Sequence, residues 1–385
     1  MGGAEMIGKE EQEAVAAVMN RGVLFRYGFN EKRKNIFEVQ DFENQICRYM
    51  KCSYALGVAS GSAALRVGLA ALGLKRGDEV ITQSFTFVAT VEAILEAGGV
   101  PVLTEVDKSL NMDPEDLKSK ISDKTRVIIP VHMLGVPARM NEILAIAAKT
   151  NLPVLEDSCQ ACGSSYQGRK TGTLGALGTF SFDYVKTLTT GEGGMVVTND
   201  KKLYDGSRYY HDHGHEHNPE APRGEDSHSL SGFNYRMNEI QGAMGKVQLN
   251  RLEFVLAEQR KNKEQIKEGI RGIPGIEFRD LPDPQGDGGD TLAFFLPDIQ
   301  KAQAFNEALA RAKIDTKILP SAMNWHFIGH WNHLISYCPP YRANAWPKSE
   351  ALLKRAIALP VSVRMSQDQI ARTVAAIKRV AQELL

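Results

Sequence analysis

No run of about 18 or more consecutive apolar residues occurs in this 385-residue chain, so no transmembrane helix is expected. The amino terminus, residues 1–11, has no basic stretch followed by an apolar run, and a secretory leader is therefore not expected. Cysteine is scarce. Five in a chain of this length do not suggest a disulfide framework, and the expected compartment is the cytoplasm. Cys159 and Cys162 form a C-x-x-C, but no second pair accompanies it, so packing behind a strand is favoured over zinc and no metal is expected. Charge of one sign is also missing. The 46 basic residues balance 46 acidic ones, and no global field draws the chain to nucleic acid or a membrane. Finally, no G-x-G-x-x-G follows a strand-like run, which disfavours a dinucleotide site.

What is present is a long, ordinary globular composition, with 43% hydrophobic and 24% charged residues. Chains of this length usually divide. The expected division is a large domain over residues 1–245, including an N-terminal arm, and a smaller α+β domain over 246–385. Short apolar runs near 55–59, 79–82, 100–105, 126–131 and 153–156 alternate with helical patterns at 41–50, 62–72, 87–97 and 140–150. That alternation implies right-handed βαβ units and a largely parallel sheet covered on both faces. Residues 238–267 have the pattern of a long helix bridging the domains. Beyond it come short strands (277–279, 292–296) and helices (300–313, 368–385). Residues 209–231 carry five of the nine histidines and suggest a long loop. His211, His213, His215 and His217 alternate as metal ligands on a strand could, yet no familiar metal spacing accompanies them.

Ligands in parallel sheets sit at the carboxyl ends of the strands, and three segments there carry chemistry. Ala59-Ser60-Gly61-Ser62-Ala63-Ala64 follows a strand and opens a helix, where free N–H groups and glycine suit an anion. Leu155-Glu156-Asp157-Ser158-Cys159-Gln160 puts carboxylates at the end of a buried strand, where a cation or donors must compensate them. Lys186 stands between the run 180–185 and the glycine-rich turn 191–194, two stretches that look buried. Burial lowers a lysine pKa and frees its amine for Schiff-base chemistry.

Six motifs in order, Ala59-Ser-Gly-Ser-Ala-Ala-Leu65, Ser84-Phe-Thr-Phe-Val-Ala-Thr90, Glu156-Asp157-x-x-Gln160-Ala161, Ser181-Phe182-x-x-x-Lys186, Gly191-Glu-Gly-Gly194 and Gly232-Phe-Asn-Tyr-Arg-Met237, resemble those of the DegT/DnrJ/EryC1/StrS aminotransferases. The resemblance implies an α/β enzyme of the PLP-dependent transferase fold type I. Its large domain would hold a mostly parallel seven-stranded sheet. It implies pyridoxal 5′-phosphate (PLP) as cofactor, Lys186 as its Schiff-base residue and Asp157 as the partner of the ring nitrogen. Gln160 would lie near the ring hydroxyl and Phe87 would stack on the ring. Gly61, Ser62 and Ser181 would hold the phosphate, with Ser60 beside them. Asn234 would reach the cofactor of a partner subunit, giving a homodimer with composite sites. A related group of dehydratases has histidine at the lysine position, so Lys186 points to transamination.

The segments 212–217, 223–228 and 324–326 are further similar to those of 8-amino-3,8-dideoxy-manno-octulosonate transaminases, which serve bacterial lipopolysaccharide. This implies an 8-oxo octulosonate acceptor, glutamate as donor, and His215, Arg223 and His326 at the substrate. A nucleotide-linked 4-keto- or 3-keto-deoxyhexose, aminated or dehydrated, is the alternative.

Overall fold

The structure, a computed structural model, describes residues 2–335 and 345–385. Its strands are β1 (Tyr54–Val58), β2 (Glu79–Gln83), β3 (Val100–Thr104), β4 (Thr125–Ile128), β5 (Leu155–Asp157), the small hairpin β6 (Ser165–Tyr166) and β7 (Arg169–Lys170), β8 (Leu177–Ser181), β9 (Gly194–Thr198), β10 (Glu277–Phe278), β11 (Thr291–Phe295) and β12 (Ala356–Pro360). The helices are α1 (Lys9–Arg21), α2 (Glu38–Met50), α3 (Gly61–Ala71), α4 (Val88–Glu96), α5 (Pro114–Lys120), α6 (Met140–Thr150), α7 (Lys201–Tyr210), α8 (Glu239–Ile270), α9 (Ile299–Arg311), α10 (Asn332–Ile335), α11 (Pro347–Leu353) and α12 (Gln367–Leu384).

Seven strands form the main sheet. β3-β2-β4 and β5-β8-β9-β1 are joined by the parallel bridges Ile128–Val154 and Val131–Asp157. Only β9 runs against the rest, which agrees with the mostly parallel sheet expected. The faces of β9 separate by the two-residue period of a strand. Met195 and Val197 pack with Phe42 and Ile46 of α2 and with Leu252 and Leu256 of α8, whereas Val196 packs with Leu65 and Val67 of α3. Both faces are thus covered, as the continuous apolar runs require. Gly68 lets α3 lie close to the sheet, since a Cβ there would come 2.7 Å from Leu155 Cδ1.

Local chemistry sets the helix ends. Ser60 caps α3 by accepting from the Ala63 N–H at 3.1 Å, and Asn238 with Gln241 forms a capping box on α8. Such caps typically contribute about 1 kcal/mol each. α8 has 32 residues and so extends roughly 48 Å. Its Leu249, Leu252 and Leu256 belong to the core under β8 and β9. Its Ile266 and Ile270 belong to a second core with β11, β12, α9 and α12.

Several expectations need correcting in detail. The strand expected over 126–131 stops at Ile128, because Pro130 has no N–H for the ladder; pairing resumes as the single bridge at Val131. Helices α1 and α5 were not legible in the pattern. Helix α7 runs to Tyr210, capped by Asp200, and so takes the first residues of the expected loop. The rest of that loop folds back on itself through a bridge between His215 and His228, with His213 and His217 left-handed, and forms no extended strand.

Candidate active site

The carboxyl ends of β1, β5 and β8 and the start of α3 converge on one place. Asp157 ends β5 and is only 3% exposed. Its Oδ2 accepts from the Thr90 hydroxyl at 2.8 Å and its Oδ1 from the Cys159 N–H at 3.1 Å. Thr90 is itself 2.7 Å from Thr86 Oγ1. The Cys159 thiol is a further neutral partner, and among the described residues no ion pair involves the Asp157 side chain. A buried carboxylate in this state lacks the cation that burial calls for.

Beside it, the first turn of α3 presents the amides of Gly61 and Ser62, for which the described residues supply no acceptor. Ser181, at the end of β8, closes this cradle. A Cβ on Gly61 would lie 2.7 Å from Ser181 Cβ and 3.2 Å from Cys159 Sγ, so the position is confined to glycine. Gly194 is equally tight, with Ser60 O only 2.2 Å from where its Cβ would be. Ser60 is spent on its capping bond, whereas Ser62 is exposed.

Lys186 lies on the turn that follows β8, its N–H donating to Asp183 O at 3.0 Å. Phe180 and Phe182 before it are buried, as expected, but Tyr184 and Val185 are about half exposed, because the chain has already left the sheet. The N-terminal segment packs on this turn, with Gly3 N–H donating to Lys186 O at 3.1 Å. The charge of Lys186 reaches two neighbours. Burial and the Asp157 carboxylate push the Cys159 thiol well above its ordinary range, and Lys186 opposes them. Burial first, and then Lys186, pull His326 down to about 4, against the hydrogen bond to Ala322. His326 Nδ1 donates to Ala322 O at 2.9 Å, which leaves Nε2 as a bare acceptor. Its ring lies 5.3 Å from that of Phe87. Phe87 precedes α4 and keeps 42% of its surface exposed, an uncovered aromatic side chain in the strand-end cluster. Gln160 Oε1 accepts from the Leu134 N–H at 3.1 Å.

The sequence-derived residues thus gather in two groups. Gly61, Ser62, Phe87, Asp157, Gln160, Ser181, Lys186 and His326 belong to the strand-end cluster. His215 and Arg223 lie in a separate network. There the buried Asp212 accepts from Arg223 at 2.6 Å and from Arg236 at 2.5 Å, and His217 Nε2 stands 3.5 Å from its other oxygen. Burial raises the Asp212 carboxyl, but the two guanidinium groups outweigh it and hold it far below the usual range. His215 faces Asp226 at 3.3 Å. His211 is buried against the Tyr27 hydroxyl at 2.9 Å. Asn234 is exposed on the strand of chain that runs beside Ala59, whose N–H donates to Tyr235 O at 2.8 Å. Among the described residues, no three or more His, Cys, Asp or Glu side chains are placed to hold a metal ion, and no helix is long and apolar enough to cross a membrane.

These residues fit PLP on three independent counts. An anion cradle with free amides suits the phosphate. An uncovered Phe87 face suits stacking on the ring. A buried carboxylate without a cation suits a protonated ring nitrogen. With the seven-stranded sheet, this defines a PLP-dependent transferase of fold type I. The family model for the DegT/DnrJ/EryC1/StrS aminotransferases matches residues 5–378, and the chain belongs to that family. It is similar to the GDP-perosamine synthase of Escherichia coli O157:H7, at 39% identity over 236 residues, which are 61% of this chain and 64% of that one. It is also similar to the GDP-perosamine synthase of Vibrio cholerae, at 29% identity over 86% of this chain and 88% of that one. Among solved structures, an aminotransferase from Psychrobacter cryohalolentis superposes with a TM-score of 0.86 at 27% identity, covering 98% of both chains. The protein is a PLP-dependent sugar aminotransferase.

Thr86, Thr90, Cys159 and His132 were not given roles from sequence. The first three stood inside quoted motifs. Only the fold reveals that their side chains meet Asp157 or its neighbours.

Proposed function

We propose that this enzyme moves an amino group from glutamate to a keto-sugar that carries an anionic group, and that the acceptor is a nucleotide-linked keto-deoxyhexose. The observation that carries the choice is the pairing of Arg223 with Asp212 at 2.6 Å. That bond commits the guanidinium that the octulosonate resemblance placed at the substrate. Similarity to two GDP-perosamine synthases points the same way. The second reading, an 8-oxo octulosonate in lipopolysaccharide synthesis, is favoured by the residues of 212–217, 223–228 and 324–326.

PLP, when bound, supplies the electron sink. The Asp157 carboxylate would hold the ring nitrogen protonated. Gly61, Ser62 and Ser181 would fix the phosphate by hydrogen bonds, with Gln160 toward the ring hydroxyl. Lys186 Nζ would anchor the cofactor, and its amine is the base suited to carry a proton. His326 offers Nε2 as an acceptor for a sugar hydroxyl. The active unit is a dimer. The half-exposed Tyr184 and Val185 beside Lys186, and Phe233 beside Asn234, are apolar surface at the site that a second copy would cover. The test is turnover with glutamate against UDP-, GDP- and dTDP-linked keto-hexoses and an 8-oxo octulosonate. Preference for the octulosonate would overturn the nucleotide assignment and restore the second reading. No turnover with any of them would remove both.

A further inference from the structure

Glu156 is fully buried, and as the neighbour of Asp157 on β5 its side chain points to the opposite face of the sheet. It points away from the strand-end cluster, yet both of its oxygens are hydrogen-bonded. Oε1 accepts from the N–H groups of Leu174 and Gly175 at 2.6 and 2.7 Å. Oε2 accepts from the Gly172 N–H at 2.9 Å and meets His132 Nε2 at 3.0 Å. The tautomer of His132 follows from its other nitrogen. Nδ1 accepts from the Ala138 N–H at 3.0 Å, so the proton is on Nε2 and is donated to Glu156.

His132 is equally engaged with Asp157. Its N–H donates to Asp157 O at 3.0 Å, and the Asp157 N–H donates to Pro130 O at 2.9 Å. Two residues on, the Leu134 N–H donates to Gln160 Oε1 at 3.1 Å, with Leu134 held left-handed at φ 56°. One short segment after β4 therefore grips Glu156 by a side chain, Asp157 by its backbone and Gln160 by its amide. The loop on the far side has no slack. A Cβ on Gly175 would meet Val154 O at 2.6 Å, and one on Gly178 would meet Gly172 O at 2.1 Å.

We infer that Glu156 and His132 form a positioning pair that fixes Asp157, and through it the PLP ring, from the far face of the sheet. The inference rests on the reading of Asp157 as the partner of the ring nitrogen. The physical reason is that a carboxylate must be held to within a fraction of an ångström to keep a ring nitrogen protonated, and rigid outer contacts do this. The charged ring in turn makes the nitrogen joining cofactor to Lys186 release its proton more readily. A loosened Asp157 weakens that charge and moves the titration midpoint of the bound cofactor's visible absorbance upward.

The experiment compares Glu156→Gln, His132→Leu and His132→Gln as PLP-loaded proteins, with Asp157→Asn as reference. Circular dichroism checks folding, the absorbance midpoint is followed against pH, and PLP affinity is measured by titration. Gln at 156 places an NH₂ against N–H donors, and Leu at 132 removes the donor to Oε2. Gln at 132 keeps an N–H at the position of Nε2. The expected result is a midpoint about one unit higher and PLP affinity about tenfold weaker for Glu156→Gln and His132→Leu, with His132→Gln close to wild type. If Glu156→Gln does not fold, the His132 pair decides alone. Folded variants with an unmoved midpoint, beside an Asp157→Asn that does move it, would overturn the inference. An unmoved midpoint in Asp157→Asn would instead overturn the reading of Asp157 itself.

Discussion

The Thr90 hydroxyl donates to Asp157 Oδ2 at 2.8 Å, so a residue at the start of α4 orients a carboxylate at the end of β5. Replacing it by valine keeps the volume and removes the donor. A buried acceptor that loses its partner costs about 1–3 kcal/mol. Thr90→Val is expected to fold and to bind PLP about tenfold more weakly, since the loss falls on the group that faces the ring. Titration of the apoprotein with PLP measures this, and unchanged affinity would mean that Thr90 only packs.

Lys186→Ala should reduce turnover by at least the roughly 10²–10⁴-fold typical of a general base, and by more because the covalent link is lost as well. Borohydride reduction followed by peptide mapping should label Lys186 in the wild type. A label on another lysine would move the assignment.

His326 couples the site to acid. Its folded-state value is depressed to about 4 from 6.5, mainly by burial. As pH falls below 6.5, the unfolded chain takes a proton that the folded one refuses. The stability held above 6.5 is therefore lost progressively as pH falls through 4. His217, also depressed to about 4 by burial, has the same sign and window. The urea midpoint should drop between about pH 7.5 and about pH 4.5, and it should drop less in His326→Asn. Equal slopes for the two proteins would show that His326 is protonated freely in the fold.

Asn234 gives the test of composite sites. Lys186→Ala and Asn234→Asp, each inactive alone, should regain part of the activity when co-expressed, because one site of a mixed dimer then receives both intact residues. Mixed dimers without recovery would place Asn234 in its own subunit's site or outside it.

Much of this site was legible in the sequence because its backbone requirements are local. A strand followed by Ser60-Gly61-Ser62 already describes an anion cradle, and the fold puts Ser181, which the resemblance implied, against Gly61. Lys186 and Asp157 were legible from their places after apolar runs. His326 came from a resemblance, and its packing on Phe87 depends on a fold-back of the chain from residue 326 to residue 86 that no periodicity reports. For the histidine-rich loop the resemblance implied substrate contacts at His215 and Arg223, and the fold adds partners that the sequence did not show, Asp212 for Arg223 and Asp226 for His215. Charge content does not tell which charges are already partnered. His132 was invisible for the same reason, because its partner Glu156 is 24 residues away.

Helix α8 belongs to two cores at once, through Leu249, Leu252 and Leu256 at one end and Ile266 and Ile270 at the other. A continuous hydrogen-bonded rod cannot fray in the middle without exposing apolar residues of both. The loss of either core strips one half of the rod of its cover, and a bare half of that length is marginal in water. The β10-β11-β12 sheet also shares a core with Phe85 and Val88, which flank Phe87, so damage in that sheet reaches the strand-end cluster by packing as well as along the rod.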